Sequence, residues 1–184
     1  MALYKLHDKS LSVVTPKSMI DLGLSERNDL QQVLLKNIES VSPDTVIIAE
    51  EFSEWEDSRR RVDLLGIDSD GNLVVIELKR TADGGHMELQ ALRYAAMVSA
   101  LTYDRIIDVF DTHLKKNHSE ESAEKLLLDH LNWDSEEDGE IATQVSIVLV
   151  SENFGSEITT AVLWLNEQGL DIRCVKAAPY IDNK

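Results

Sequence analysis

Arg61-Val62-Asp63-Leu64-Leu65-Gly66-Ile67-Asp68-Ser69-Asp70-Gly71-Asn72-Leu73-Val74-Val75-Ile76-Glu77-Leu78-Lys79-Arg80 is the stretch on which the fold turns. Residues 62–67 and 73–78 are apolar runs of strand length, and the five residues between them are a hairpin signal. A three-residue loop at 69–71, with Gly71 left-handed as a G1 bulge, suits that composition. In this register Asp68 pairs with Asn72, and Asp63 falls directly opposite Glu77. Side chains paired in this way share a face, with Cβ atoms about 5 Å apart. Lys79 lies two residues beyond Glu77 and points to the same side. Three ionisable groups therefore converge at one end of one sheet face.

Two carboxylates set opposite one another repel, and buried charge is costly unless something offsets it. A divalent cation between them would remove the repulsion. Both strands are apolar on both faces, with Leu64, Val74 and Ile76 on one and Leu65, Ile67, Leu73 and Val75 on the other. This predicts central strands covered on both sides. The same residues also suit a surface hairpin in which Glu77 and Lys79 are ordinary solvated groups.

A chain of 184 residues suits one domain, read here as a core over about 25–178 behind an N-terminal extension, 1–24. With 43% hydrophobic and 28% charged residues it has the composition of a soluble globular protein. No run reaches the ~18 apolar residues of a membrane span, so no membrane association is expected. The start, Met1-Ala2-Leu3-Tyr4-Lys5-Leu6-His7-Asp8, lacks an uninterrupted apolar core of the secretory kind, which makes the cytoplasm the expected compartment. The one cysteine, Cys174, excludes an internal disulfide and a multi-thiolate zinc site.

The net charge of −16 runs against the basic surface usual in nucleic-acid binders. The acid is uneven. Residues 1–101 carry 11 Lys and Arg against 17 Asp and Glu, and residues 102–184 carry 7 against 17, with a local cluster at 135–140. Arg59, Arg60, Arg61, Lys79, Arg80 and Arg93 lie close in sequence around the converging charges.

Residues 3–15 read as one or two short strands. Ser25 is a helix N-cap, with Glu26 at the favourable end of the dipole, and helical spacing predicts a helix over 26–41. A strand over 45–50 follows, then a charged connection or strand extension to 60, the hairpin, and a loop at 81–85. Helices are expected over 86–103, with Leu89, Leu92, Ala96, Met97 and Ala100 inward, and over 104–116 and 119–131. A strand at 144–150, a helix at 156–168 closed by Gly169 and a strand at 170–175 complete the chain. This order predicts an α/β fold, a mixed sheet with helices on both faces.

Asp63, the Glu77-Leu78-Lys79 element and Gln90-Ala91-Leu92-Arg93-Tyr94 on the following helix together resemble the PD-(D/E)XK nucleases, the restriction-endonuclease-like fold. The spacing is most similar to the catalytic domain of archaeal-type mismatch-specific endonucleases, over about residues 25–100. The resemblance implies hydrolysis of DNA phosphodiester bonds by a metal-activated water, with Mg²⁺ as cofactor and Mn²⁺ as substitute. It implies Asp63, Glu77, the Leu78 carbonyl and Glu26 as the metal set, Glu26 being preferred to Glu39 for the first-helix carboxylate. Lys79 joins Asp63, Glu77 and Glu26 as a catalytic group, and between two carboxylates it should stay protonated. Gln90, Tyr94, Arg61, Arg80 and Arg93 become nucleic-acid contacts. Partners implied are DNA, with RNA as an alternative, and a homodimer or larger complex.

Several residues also have plainer readings. Gln90 and Tyr94 suit simple helix packing, the Arg59–Arg61 triplet suits a solvated strand start, and Glu50 and Glu51 are either further ligands or a solvated edge pair. Asp68-x-Asp70 is a turn, not a calcium loop, because its glycine is misplaced. The five histidines show no ligand spacing, and Trp55, Trp133 and Trp164 form no stacking platform. The competing function class is a non-catalytic nucleic-acid-binding or protein-interaction module that keeps the fold.

Overall fold

The computed structural model describes residues 3–53, 61–80 and 86–181. Arg59, Arg60, Trp55 and the expected loop at 81–85 lie outside the described residues. A five-stranded sheet runs in the order β3 (Thr45–Phe52), β4 (Val62–Asp68), β5 (Leu73–Lys79), β6 (Val145–Ser151), β7 (Asp171–Lys176). The β3–β4 and β4–β5 pairs are antiparallel, whereas β5–β6 and β6–β7 are parallel. The sheet is mixed, as the order of elements predicts.

The hairpin takes the expected register. Leu64 pairs with Ile76, Leu65 with Val75, Gly66 with Val74 and Ile67 with Leu73. Asp68 N–H donates to the Asn72 carbonyl at 3.0 Å, and the Asp68 Oδ1 accepts from the backbone N–H groups of Asp70 and Asn72. Gly71 has φ +82°, the left-handed value a G1 bulge demands.

The two predicted faces are both buried. Leu65, Ile67, Leu73 and Val75 pack beneath α2 (Met87–Val98), α3 (Tyr103–Lys116), α4 (Ala123–Leu131) and α5 (Ser156–Glu167). Leu64, Val74, Ile76 and Leu78 pack on the other side, with Leu34 of α1 (Gln31–Lys36). The solvated-hairpin reading is thereby excluded.

Five expectations change. The helix predicted over 26–41 is a π-helical turn (Glu26–Leu30) running into α1, which stops at Lys36. Asn37 leaves helical geometry (φ −140°, ψ 43°), and its amide caps the Val33 carbonyl at 2.8 Å before a 3₁₀ turn at Ile38–Ser40. The long helix expected over 86–103 ends at Val98, and α4 begins at Ala123 instead of 119. The inward face of α2 is Met87, Ala91, Tyr94 and Val98, and Leu89 is exposed. A small second sheet orders as β1 (Leu3–His7), β2 (Ser10–Pro16), β8 (Tyr180–Ile181), and β8 was not expected. No helix among the described residues is long and apolar enough to cross a membrane.

Gly66 of β4 lies tight against β3. A Cβ there would lie 2.6 Å from Thr45 Cγ2 and 2.9 Å from the Val46 carbonyl oxygen. The second contact is backbone and cannot rotate away. Gly66→Ala is expected to destabilise the fold by about 2–3 kcal/mol in urea denaturation, in the range of overpacked cores. Trimming Thr45 to Ser in the same chain should recover only part of that loss.

Candidate active site

The ladder between β4 and β5 stops at Leu64 and Ile76, one pair short of Asp63 and Glu77. In place of ladder bonding, Asp63 Oδ2 accepts from the Leu78 N–H at 2.8 Å. The carboxylate thus reaches across the strand end toward Glu77. Glu77 is fully buried, at 0% exposed. Its Oε1 accepts from Gln90 Nε2 at 2.5 Å and faces Lys79 Nζ at 3.3 Å. Its Oε2 is buried and makes no hydrogen bond among the described residues.

The π-helical turn brings in the next carboxylate. Leu30 N–H bonds to the Ser25 carbonyl, so the turn holds one more residue than an α-turn. Ser25 caps it by accepting from Asn28 N–H, and Asp29 Oδ2 accepts from both the Ser25 N–H and its hydroxyl. This is a capping box displaced by one residue to fit the wider turn. Those Ser25 bonds, backbone first, hold the Asp29 carboxyl below its ordinary value. Glu26, fixed at the start of the turn, places Oε1 3.5 Å from Lys79 Nζ and accepts from the Arg80 N–H at Oε2. Lys79 is therefore shared by Glu77 and Glu26.

Burial drives the electrostatics. It pushes the Glu77 carboxyl up to about 8, with Asp63 adding repulsion and Lys79 opposing. Burial also raises Asp63 to about 6, against the Leu78 hydrogen bond and Lys79, with Glu26 and Glu51 adding repulsion. For Lys79 burial alone would favour the neutral amine, but Glu77, Glu26 and Asp63 outweigh it and hold the ammonium above its ordinary value. Lys79 is a fixed cation in this site.

The sequence-predicted residues separate into two groups. Asp63, Glu77, Lys79, Glu26, Leu78 and Gln90 meet at one strand end. Tyr94 is only 2% exposed, with its hydroxyl accepting from Gln90 Nε2 at 3.2 Å and from the Arg61 backbone N–H. This corrects its reading as a nucleic-acid contact: it is a core residue that fixes Gln90. Arg80 is exposed and donates to the Leu24 carbonyl, and Arg93 is exposed on α2. Arg61 pairs with Glu51 at 3.7 Å. Glu50 is tied to Lys116 and Gln32 on the far edge. Glu39 lies in the 3₁₀ turn beyond α1.

Arg27 escaped the sequence reading, and Glu51 was read only as a further ligand or a solvated edge residue. Arg27 Nε meets Glu51 Oε1 at 3.2 Å. Glu51 has φ +54°, a left-handed backbone inside a strand that costs a non-glycine residue roughly 1–2 kcal/mol. No spacing rule announces either.

Among the described residues no three His, Cys, Asp or Glu side chains form a ready-made metal cluster. The donors nevertheless suit a hard cation that needs few protein ligands. Asp63 and Glu77 are paired oxygen donors, Glu77 Oε2 is buried without a partner, and Mg²⁺ commonly binds through one or two carboxylates while keeping waters.

No family model matches this chain, and no curated protein matches it. Solved structures do. A repair endonuclease from Pyrococcus abyssi is similar at 21% identity over 80% of this chain and 45% of its own, with TM-score 0.38. EndoMS in complex with dsDNA2 is similar at 16% identity over 96% of this chain and 64% of its own, with TM-score 0.39. EndoMS in apo form is similar at 17% identity over 91% of this chain and 50% of its own, with TM-score 0.44. The chain spans about half to just under two thirds of the length of these structures.

Raised carboxyl values make the metal-free fold lose stability as pH rises. The unfolded chain ionises near pH 4–4.5, whereas folded Asp63 and Glu77 hold their protons to about 6 and about 8. Between those limits the folded state binds more protons, so stability falls with pH. Glu77→Gln removes much of that slope. It should stabilise the metal-free protein by on the order of 2 kcal/mol at pH 8 and by much less at pH 5, read by thermal denaturation in chelator.

Proposed function

We propose that this protein is a metal-dependent nuclease that hydrolyses DNA phosphodiester bonds, with Mg²⁺ as its ion and Mn²⁺ as a substitute. The observation that carries the reading is the meeting of Asp63, Glu77 and Lys79, with one Glu77 oxygen buried and unpartnered among the described residues. A packed protein has little reason to retain two raised carboxyls beside a shared lysine unless a ligand satisfies them. The choice of DNA rests on the sequence resemblance.

Asp63 and Glu77 would hold the ion, with the Leu78 carbonyl and, through water, Glu26. Such an ion, when bound, lowers the pKa of its water and counters charge developing on phosphate. Gln90 orients the Glu77 carboxylate by bonding Oε1, which leaves Oε2 free for the ion. Tyr94 holds Gln90 in turn. Lys79, kept protonated, donates to a phosphate oxygen and stabilises the charge that builds there. Its cationic state makes it a poor general base. Glu26 fixes the lysine from the opposite side.

Cleavage of linear and branched DNA should appear with Mg²⁺ or Mn²⁺ and vanish in chelator. Lys79→Ala should lower the rate at least about a hundredfold, the scale of a lost electrostatic stabiliser, while still binding Mn²⁺ in calorimetry. Asp63→Asn and Glu77→Gln should abolish Mn²⁺ binding. Unchanged Mn²⁺ affinity in either variant, or cleavage surviving Lys79→Ala, would sink the proposal. Mn²⁺ bound with no cut on any substrate would favour the non-catalytic module.

A further inference from the structure

Glu51 carries a left-handed backbone inside β3. Among the described residues it is the only non-glycine with positive φ inside a strand; the others lie in turns, loops and helix ends. Its neighbours pair normally, Glu50 with Leu64 and Phe52 with Val62, which sets Glu51 beside Asp63 at the edge of the site. Strain held in this way marks places where side-chain direction matters more than backbone comfort.

What the direction achieves is visible in the contacts. One Glu51 oxygen takes Arg27 and the other takes Arg61, at 3.2 and 3.7 Å. Glu51 is largely covered, at 16% exposed, while Arg27 and Arg61 are 61% and 51% exposed. Arg27 uses its Nε and Arg61 one Nη, and both side chains are half exposed or more, with no further partner among the described residues.

Both arginines are anchored to catalytic elements. Arg27 follows Glu26, which holds Lys79. The Arg61 backbone N–H donates to the hydroxyl of Tyr94, the residue that holds Gln90.

We propose that Arg27 and Arg61, gathered by Glu51, form a subsite for a backbone phosphate of the nucleic-acid strand next to the scissile bond, with Glu51 as its positioning residue. Guanidinium groups suit this task because their planar donors match phosphate oxygens in pairs. One carboxylate between two guanidiniums leaves a net positive pair and fixes its spacing before substrate arrives. The inference rests on the nuclease reading, and it supplies that reading with cationic contacts outside the carboxylate cluster.

The test is binding of a fluorescein-labelled DNA duplex by anisotropy, in chelator and over a salt series, so that turnover plays no part. Arg27→Ala and Arg61→Ala should each weaken binding about five- to tenfold and reduce the salt slope by about one. Glu51→Gly, which accepts positive φ without strain, should hold or raise the thermal midpoint yet weaken DNA binding as much as losing one arginine. In cleavage it should raise KM and leave kcat near its original value. A Glu51→Gly protein that melts lower and binds DNA as before would show a brace for the fold and overturn the subsite. Wild-type binding indifferent to all three variants overturns the subsite alone. A wild type that neither binds nor cuts any DNA overturns the nuclease reading with it.

Discussion

The contact between the buried Glu77 carboxylate and Lys79 sets the terms for the rest of the molecule. At 3.3 Å the pair is close enough to matter and too incomplete to be self-sufficient, because one Glu77 oxygen has no hydrogen-bond partner among the described residues. The fold holds it there by making slippage impossible. β5 is hydrogen-bonded to β4 on one side and β6 on the other, with aliphatic layers on both faces. A one-residue slip would exchange Glu77 and Lys79 with Ile76 and Leu78, driving two charges into the layer formed with Leu34 and Val148. The aliphatic runs on either side of the hairpin are what make a charged strand end affordable.

Around that strand end the positioning is layered. Gln90 holds Glu77, Tyr94 holds Gln90, and the Arg61 backbone meets Tyr94. On the other side, a π-helical turn presents Glu26 to Lys79 and Arg27 to Glu51. Helix α2 and the turn before α1 therefore act as two jaws closing on the same end of β5. A turn with one extra residue is a local irregularity of the kind found where geometry serves a site, and its displaced capping box shows how it is kept: Asp29 replaces an N3 acid at the position the wider turn requires.

The hairpin was legible because its information is local. Gly71, the flanking aspartates and near-continuous apolar runs fix register and both faces within twenty residues. The α2 face was misread in part: Leu92 and Met97 pack, half-buried, against the core, but Leu89 is exposed although it counts as much in any apolar tally. The fold instead seats Ala91 and Val98 inward, since α2 lies close over β5 and β6, where a small residue permits approach. Asn37 ends α1 by bonding back to Val33, which a count of apolar spacing does not weigh. The Arg27–Glu51–Arg61 group was invisible for a different reason. It joins three segments far apart in sequence, and its signature is a backbone angle that no composition encodes.

The acidic net charge looks like an obstacle to any phosphate-binding role until its location is considered. The cluster at 135–140 lies at the turn end of the hairpin: Ala142 N–H bonds to the Gly71 carbonyl, and the Glu140 carbonyl lies 3.4 Å from where a Gly71 Cβ would sit. Lys79 lies at the other end of β5, six residues beyond Leu73, or about 20 Å at ~3.3 Å per residue. At physiological ionic strength the Debye length is about 8 Å, so that cluster is more than two screening lengths from the site. Within one screening length the balance is set by other groups. Asp63, Glu77 and Glu26 are met by Lys79, and Glu51 is outnumbered by Arg27 and Arg61. A bound divalent ion would turn that near-neutral end positive, while the acidic far end would repel a nucleic-acid strand lying there. The same charge that weakens indiscriminate binding would then favour approach from the end of the sheet where Asp63 and Glu77 lie.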